Sequence, residues 1–126
     1  MVMFCTKTIQ AQAPYFWRDL VSAVQASVPP SATFQKLRPN KFIVRKPIYP
    51  AVDLIVEVDQ EAGLLTYQME NRVSASVPSF TSEPRRMVFF LDDAGELYLR
   101  RGEEIFNPDA ASKFLLTHFT IEYTGC

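Results

Sequence analysis

The sequence predicts a single α+β domain over residues 1–126: an N-terminal amphipathic helix, a four- to five-stranded antiparallel meander, and a C-terminal helix packed on the sheet. Apolar residues recur at helical spacing near both ends of the chain. Between them, runs that alternate apolar and polar residues are separated by short turns rich in Asp and Gly. A chain of 126 residues is also long enough to bury a core of its own.

The first helix is predicted over PYFWRDLVSAVQASV, residues 14–28. Pro14 suits a first helical turn, where its missing N–H costs nothing. Pro29 and Pro30 end the helix, and the segment before it, residues 2–10, is interpreted as a short strand. The apolar stripe consists of Phe16, Trp17, Leu20, Val21, Val24 and Val28.

The strands are predicted in KFIVRK, VDLIVEVD, LLTYQME, RMVFFLD and ELYLRR, and the last helix in NPDAASKFLLTHF. Asn107 suits the N-cap of that helix and Pro108 its first position. The acidic turn DDAG raises the question of whether Asp92 and Asp93 form a metal or acid–base site. Counted from Asp92, glycine is fourth rather than sixth, so a calcium loop does not fit. The sequence therefore predicts a hairpin turn.

The charges are unevenly distributed. Residues 1–50 hold seven basic residues and one acidic residue, whereas residues 51–126 hold six and thirteen. One hypothesis is nucleic-acid or other polyanion binding through segment 36–46, but a pI near 5.8 disfavours nucleic acid and favours neutralisation between neighbouring strands. The contacts in that hypothesis would be Lys36, Arg38, Lys41, Arg45 and Lys46.

Few residues indicate catalysis. An enzyme using Cys5 as nucleophile and His118 as base is a second alternative, and it requires the fold to bring the two ends of the chain together. No nucleophile elbow, Walker loop or dinucleotide fingerprint is present, so no catalytic residue, cofactor or metal is predicted. Cys5 and Cys126 have no paired-cysteine spacing, which favours free thiols over the alternative of a disulfide that joins the two termini. Together with an opening without signal-peptide character and the lack of a long apolar stretch, this predicts a cytoplasmic protein without a membrane span.

The alternation of the strands predicts two unlike sheet faces. The helix-covered face would carry Val52, Leu54, Val56, Val58, Leu65, Tyr67, Met69, Met87, Phe89, Leu91, Leu97 and Leu99. The other face mixes apolar and charged groups instead of being polar, so something should cover it. Its candidate ligand or interface residues are Ile55, Arg86, Val88, Phe90, Tyr98 and Arg100.

Three covers are open: one of the chain's own helices, a second copy in a homodimer, or a small amphiphilic ligand. An anionic group on such a ligand would be held by Arg45, Arg86 or Arg100, and the proline-containing loop 71–84 would form the rim. The predicted function is thus a non-catalytic binding or interaction module.

Overall fold

The computed structural model describes residues 2–46, 51–72, 80–81 and 84–123. In chain order, one helix precedes the strands and a second helix follows them. The helices are α1 (Val2–Ser27) and α2 (Pro108–Tyr123). The strands are β1 (Thr33–Arg38), β2 (Lys41–Lys46), β3 (Ala51–Asp59), β4 (Leu64–Arg72), β5 (Phe80–Thr81), β6 (Arg85–Leu91), β7 (Leu97–Arg101) and β8 (Glu104–Phe106).

The described strands form one antiparallel sheet. Seven of them are neighbours in the order β1-β2-β3-β4-β6-β7-β8, and the two-residue β5 pairs beside them with β4. The α+β class is confirmed, but the predicted count of four to five strands is wrong. The edge strands were missed because β1 is mostly exposed and interrupted by a bulge, and β8 has three residues. Neither strand is long or regular enough to show the alternation of apolar and polar residues that indicates a strand.

Helix α1 begins twelve residues earlier than the sequence predicts, at Val2, with Pro14 inside the helix. The predicted strand over residues 2–10 is therefore wrong. Ile9 and Ala13 extend the apolar stripe N-terminal to Pro14 and pack into the core. This burial stabilises the turns before Pro14 in a helix that local signals alone would begin at the proline.

Both helices pack on the same sheet face. In α1, Phe16 meets Phe89 edge to face with ring centroids 5.5 Å apart, and Trp17 stacks on Phe42 at 5.3 Å. In α2, Phe114 meets Tyr67 at 5.9 Å. The face predicted to be helix-covered is confirmed, since all twelve of its residues are buried except the half-buried Leu91. In the described parts of the chain, neither helix lies on the opposite face.

The acidic hairpin turn is confirmed between β6 and β7. Asp92 Oδ1 accepts hydrogen bonds from the backbone N–H groups of Ala94 (2.9 Å) and Glu96 (2.8 Å). Gly95 follows with φ of 81°, a conformation that side chains disfavour. Asp59 accepts similarly from Ala62 N–H at 3.0 Å in the turn between β3 and β4. These aspartates reverse the chain.

Within the residues described, neither helix is both long and apolar enough to cross a bilayer.

Candidate functional site: the second face of the sheet

The sheet face opposite the helices, called the second face below, carries all six predicted ligand or interface residues. They alternate along their strands with core residues such as Met87, Phe89 and Leu99, and alternation sends neighbours to opposite faces. Val88 is 55% exposed, which is high for a valine in a strand. Arg86 and Arg100 are also exposed, whereas Ile55, Phe90 and Tyr98 are half-buried.

Register places four of the six residues side by side. Val88 pairs with Arg100, and Phe90 pairs with Tyr98, on neighbouring strands β6 and β7. Arg100 in turn pairs with Ile105 of β8, which is 51% exposed. Val88, Phe90, Tyr98, Arg100 and Ile105 together are called the β6–β8 patch below.

Ile105 belongs to this patch but was missed in the sequence. It lies in β8, a strand that the sequence pattern did not predict. The signal that could have found it is Gly102, with φ of 61° as the first of two loop residues between paired Arg101 and Glu104. A two-residue loop with glycine in that position is typical of a tight β-hairpin, so a strand must follow.

Ile55 stands apart from the β6–β8 patch. It pairs with Ile43 on one side and Gln68 on the other. A row of polar residues separates Ile55 and its two neighbours from Val88. The row runs across β2, β3, β4 and β6 and consists of Lys41, Glu57, Thr66 and Arg86. The second face therefore has two apolar areas with a charged row between them.

The β6–β8 patch contains an open depression of about 370 Å³ lined by Val88, Phe89, Phe90, Arg100 and Gly102. The Arg100 guanidinium lies over the Phe90 ring, 5.8 Å from its centroid. A cation over an aromatic face is held by the ring quadrupole and stays available to a carboxylate, sulfonate or phosphate. The depression thus offers an apolar floor beside a positive charge.

The two arginines of this area lack an acidic partner among the described side chains. The ion pairs between described side chains join Arg18 to Asp19, Arg45 to Asp53 and Arg101 to Glu104, and none of them includes Arg86 or Arg100. Arg86 lies two residues from Val88, which faces Arg100, so the two arginines are diagonal neighbours. Their charges are directed toward solvent or toward whatever binds the face.

Tyr98 closes one end of the patch. Its hydroxyl donates to Glu96 Oε2 at 2.7 Å. This hydrogen bond raises the pKa of Tyr98 above its usual 10.0, and desolvation and the negative charges of Glu96 and Asp92 act in the same direction. Tyr98 therefore stays a neutral phenol and contributes no negative charge beside Arg100.

The predicted polyanion contacts are divided between the two faces. Register aligns Lys36 with the core residue Phe42, whereas Lys41 and Arg45 align with Glu57 and Asp53 on the second face. Arg45 is already engaged, since its Nε donates to Asp53 Oδ1 at 3.0 Å. Arg38 and Lys46 complete the set, on β1 and at the end of β2. The structure does not bring these five cations onto one surface.

The predicted Cys5–His118 pair also lacks geometric support. Their side chains lie outside the described residues, as do Cys126 and most of the predicted rim loop. Along the backbone, Cys5 is near the start of α1, whereas α2 meets α1 near its end: Ala26 and Thr117 line the same groove. The helix between Cys5 and Ala26 spans about 30 Å. Among the described residues, no cluster of three or more His, Cys, Asp or Glu side chains could hold a metal ion.

Comparisons with known proteins add no relative: no family model, no curated protein and no solved structure matches the chain. The site must therefore be interpreted from its own geometry.

Proposed function

We propose that this protein is a non-catalytic binding or interaction module that works through the second face of its sheet. The observation that carries the proposal is the one-sided packing of the helices. Both helices cover the opposite face, while Val88 and Ile105 remain more than half exposed beside Arg100. The occupant is either a second copy of the chain or a small amphiphile with an anionic group.

Burial of this face would contribute usable free energy. Removing a valine or isoleucine side chain from water contributes about 1.5–3 kcal/mol when the burial is complete. Val88 and Ile105 are about half exposed, so each would contribute roughly half of that on binding. Isolated exposed apolar residues are common, but a contiguous patch with charged neighbours is typical of interaction sites.

A cytoplasmic location belongs to the same proposal. It rests on the composition, in which the only cysteines are Cys5 and Cys126. Polyanion binding and Cys5–His118 catalysis stay hypotheses without a specific structural observation in their favour.

The test compares Val88→Glu with the wild type, using Tyr15→Glu as the matched control. Tyr15 is 61% exposed on α1, the helix that packs on the opposite face of the sheet, so its substitution introduces the same charge at similar exposure outside the β6–β8 patch. Native mass spectrometry would report subunit number and any retained mass. Titration with anilinonaphthalene sulfonate, an anionic amphiphilic probe, would report binding to apolar surface beside a cation.

We expect Val88→Glu to reduce self-association or probe binding about tenfold or more, because it buries a carboxylate on association. Tyr15→Glu should leave both unchanged. If folded Val88→Glu behaves like the wild type in both measurements, the second face is not the working surface and the proposal fails.

A further inference from the structure

The occupant of the second face can be identified from its charges, provided that the proposed function holds. We propose that the second face binds a second copy of this chain about a two-fold axis along β4. In that arrangement Glu57 of each subunit pairs with Arg86 of the partner subunit. The dimer would then contain two identical ion pairs.

The register of β4 with its two neighbours carries this inference. Thr66 of β4 pairs with Glu57 of β3 on one side and with Arg86 of β6 on the other. The three residues therefore form one row on the second face, with the carboxylate and the guanidinium flanking a small polar side chain. Neighbouring strands are about 4.8 Å apart, so the backbones of Glu57 and Arg86 are separated by about 10 Å.

Neither charge is neutralised within the described part of the subunit. Glu57 is half-buried and Arg86 is exposed. Lys41 pairs with Glu57 in register on β2, yet no ion pair forms between them. The Thr66 hydroxyl donates to the backbone oxygen of Glu57 at 3.4 Å and not to the Glu57 carboxylate.

In the proposed dimer two sheets pack face to face, and the two-fold axis runs between them along β4. Rotation about this axis exchanges the strands on either side of β4 and leaves the position of each residue along its strand unchanged. It therefore places β3 of one subunit over β6 of the other in the same row. Glu57 then faces Arg86 of the partner subunit, and this happens twice. On the axis itself Leu64 and Thr66 each meet their own copy, and both are uncharged.

Glu70 is the acidic residue on the same face of β4, and its copy would repel it if the two were close. It lies about 13 Å along the strand from Thr66. Packed sheets cross at about 30°, so the two-fold axis lies about 15° from each copy of β4, and the two strands, which are close at Thr66, separate before they reach Glu70.

A small anionic amphiphile fits the same row less well. It would satisfy Arg86, but the Glu57 carboxylate beside it would repel the anion. A second copy satisfies both charges at once, because each subunit supplies the residue that the other lacks.

The test is a charge exchange followed by sedimentation velocity at low and high salt. The variants are Arg86→Glu, Glu57→Arg and the combination of both. Arg85→Glu is the matched control, because Arg85 is adjacent and exposed but lies on the alternate side of β6. Circular dichroism would establish that each variant is folded.

We expect a wild-type dimer whose dissociation constant rises about tenfold or more in each single variant and with added salt. The double variant should recover to within about threefold of the wild type, because it restores both ion pairs with reversed signs. Arg85→Glu should change nothing. If Glu57→Arg is unfolded, the comparison of Arg86→Glu with Arg85→Glu decides the question.

A monomeric wild type would overturn this inference, and so would a dimer that Arg86→Glu weakens no more than Arg85→Glu does. The proposed function fails separately. A monomer whose sulfonate-probe binding depends on Val88 would disprove the dimer and leave the binding face intact. If the protein is a monomer and Val88→Glu does not change its binding of the sulfonate probe, both proposals fail.

Discussion

Arg45 and Asp53 form a two-pronged ion pair between neighbouring strands on the second face. Arg45 Nε lies 3.0 Å from Asp53 Oδ1, and its Nη2 lies 3.3 Å from Oδ2. The Asp53 side chain is only 3% exposed, whereas that of Arg45 is 40% exposed. The pair joins the basic first half of the chain to the acidic second half, which is the kind of internal neutralisation that the charge distribution predicted.

Removing Arg45 should destabilise the fold. Arg45→Ala leaves the buried Asp53 carboxylate without its guanidinium, and we expect the free energy of unfolding to fall by about 2 kcal/mol. Adding Asp53→Leu should recover part of the loss, because the buried charge is then removed. Urea unfolding of the two single variants and the double variant measures this coupling. Lys36→Ala, at an exposed position, should stay within about 0.5 kcal/mol of the wild type.

The sequence predicted the central strands well because each has one buried face. Leu54, Tyr67 and Phe89 lie in runs whose period of two reflects contact with the helices. The edge strand β1 buries no strand residue fully, so its composition carries no such pattern. The start of α1 was missed for a related reason, since Ile9 is held by tertiary contacts that local signals around Pro14 do not encode.

Trp17 should be a main anchor between α1 and the sheet. Its indole Nε1 donates to the Pro39 carbonyl oxygen at 2.7 Å, and its ring stacks on Phe42. Trp17→Phe keeps an aromatic ring but deprives Pro39 of its donor, so we expect a loss of about 1–3 kcal/mol. Thermal unfolding followed by circular dichroism measures it. Tyr15→Phe serves as the control and should unfold at the wild-type temperature; an equal loss in both would contradict a specific role for Trp17.

The two aspartates of the β6–β7 turn should behave differently. Asp92 accepts two backbone hydrogen bonds through Oδ1, so Asp92→Ala should cost about 1–2 kcal/mol in unfolding free energy. Asp92→Asn should cost less, because an amide oxygen can accept the same bonds. Asp93 is exposed, and Asp93→Ala should change stability by less than about 0.5 kcal/mol. Equal costs for Asp92→Ala and Asp93→Ala would show that the turn is held in another way.

The candidate site could be predicted only as a set of residues on one face. Alternation alone assigned Val88, Phe90 and Tyr98 to the same side. The relation between Glu57 and Arg86 requires knowing that β4 lies between β3 and β6 and which residues pair with Thr66. Such pairings join segments far apart in the chain, and no single-strand pattern contains them.

Tyr98 should titrate later than an ordinary tyrosine because its hydroxyl donates to Glu96. A pKa raised in the folded state means that the Tyr98 contribution to stability is complete below pH 10.0 and is lost as the pH rises through the folded-state pKa. Glu96→Gln removes the charge and should lower the Tyr98 pKa toward 10.0. NMR titration of ring-labelled tyrosine, with Tyr98→Phe to assign the signal, measures the shift. Asp93→Asn should leave it unchanged; a Tyr98 pKa insensitive to Glu96→Gln would refute the assigned cause.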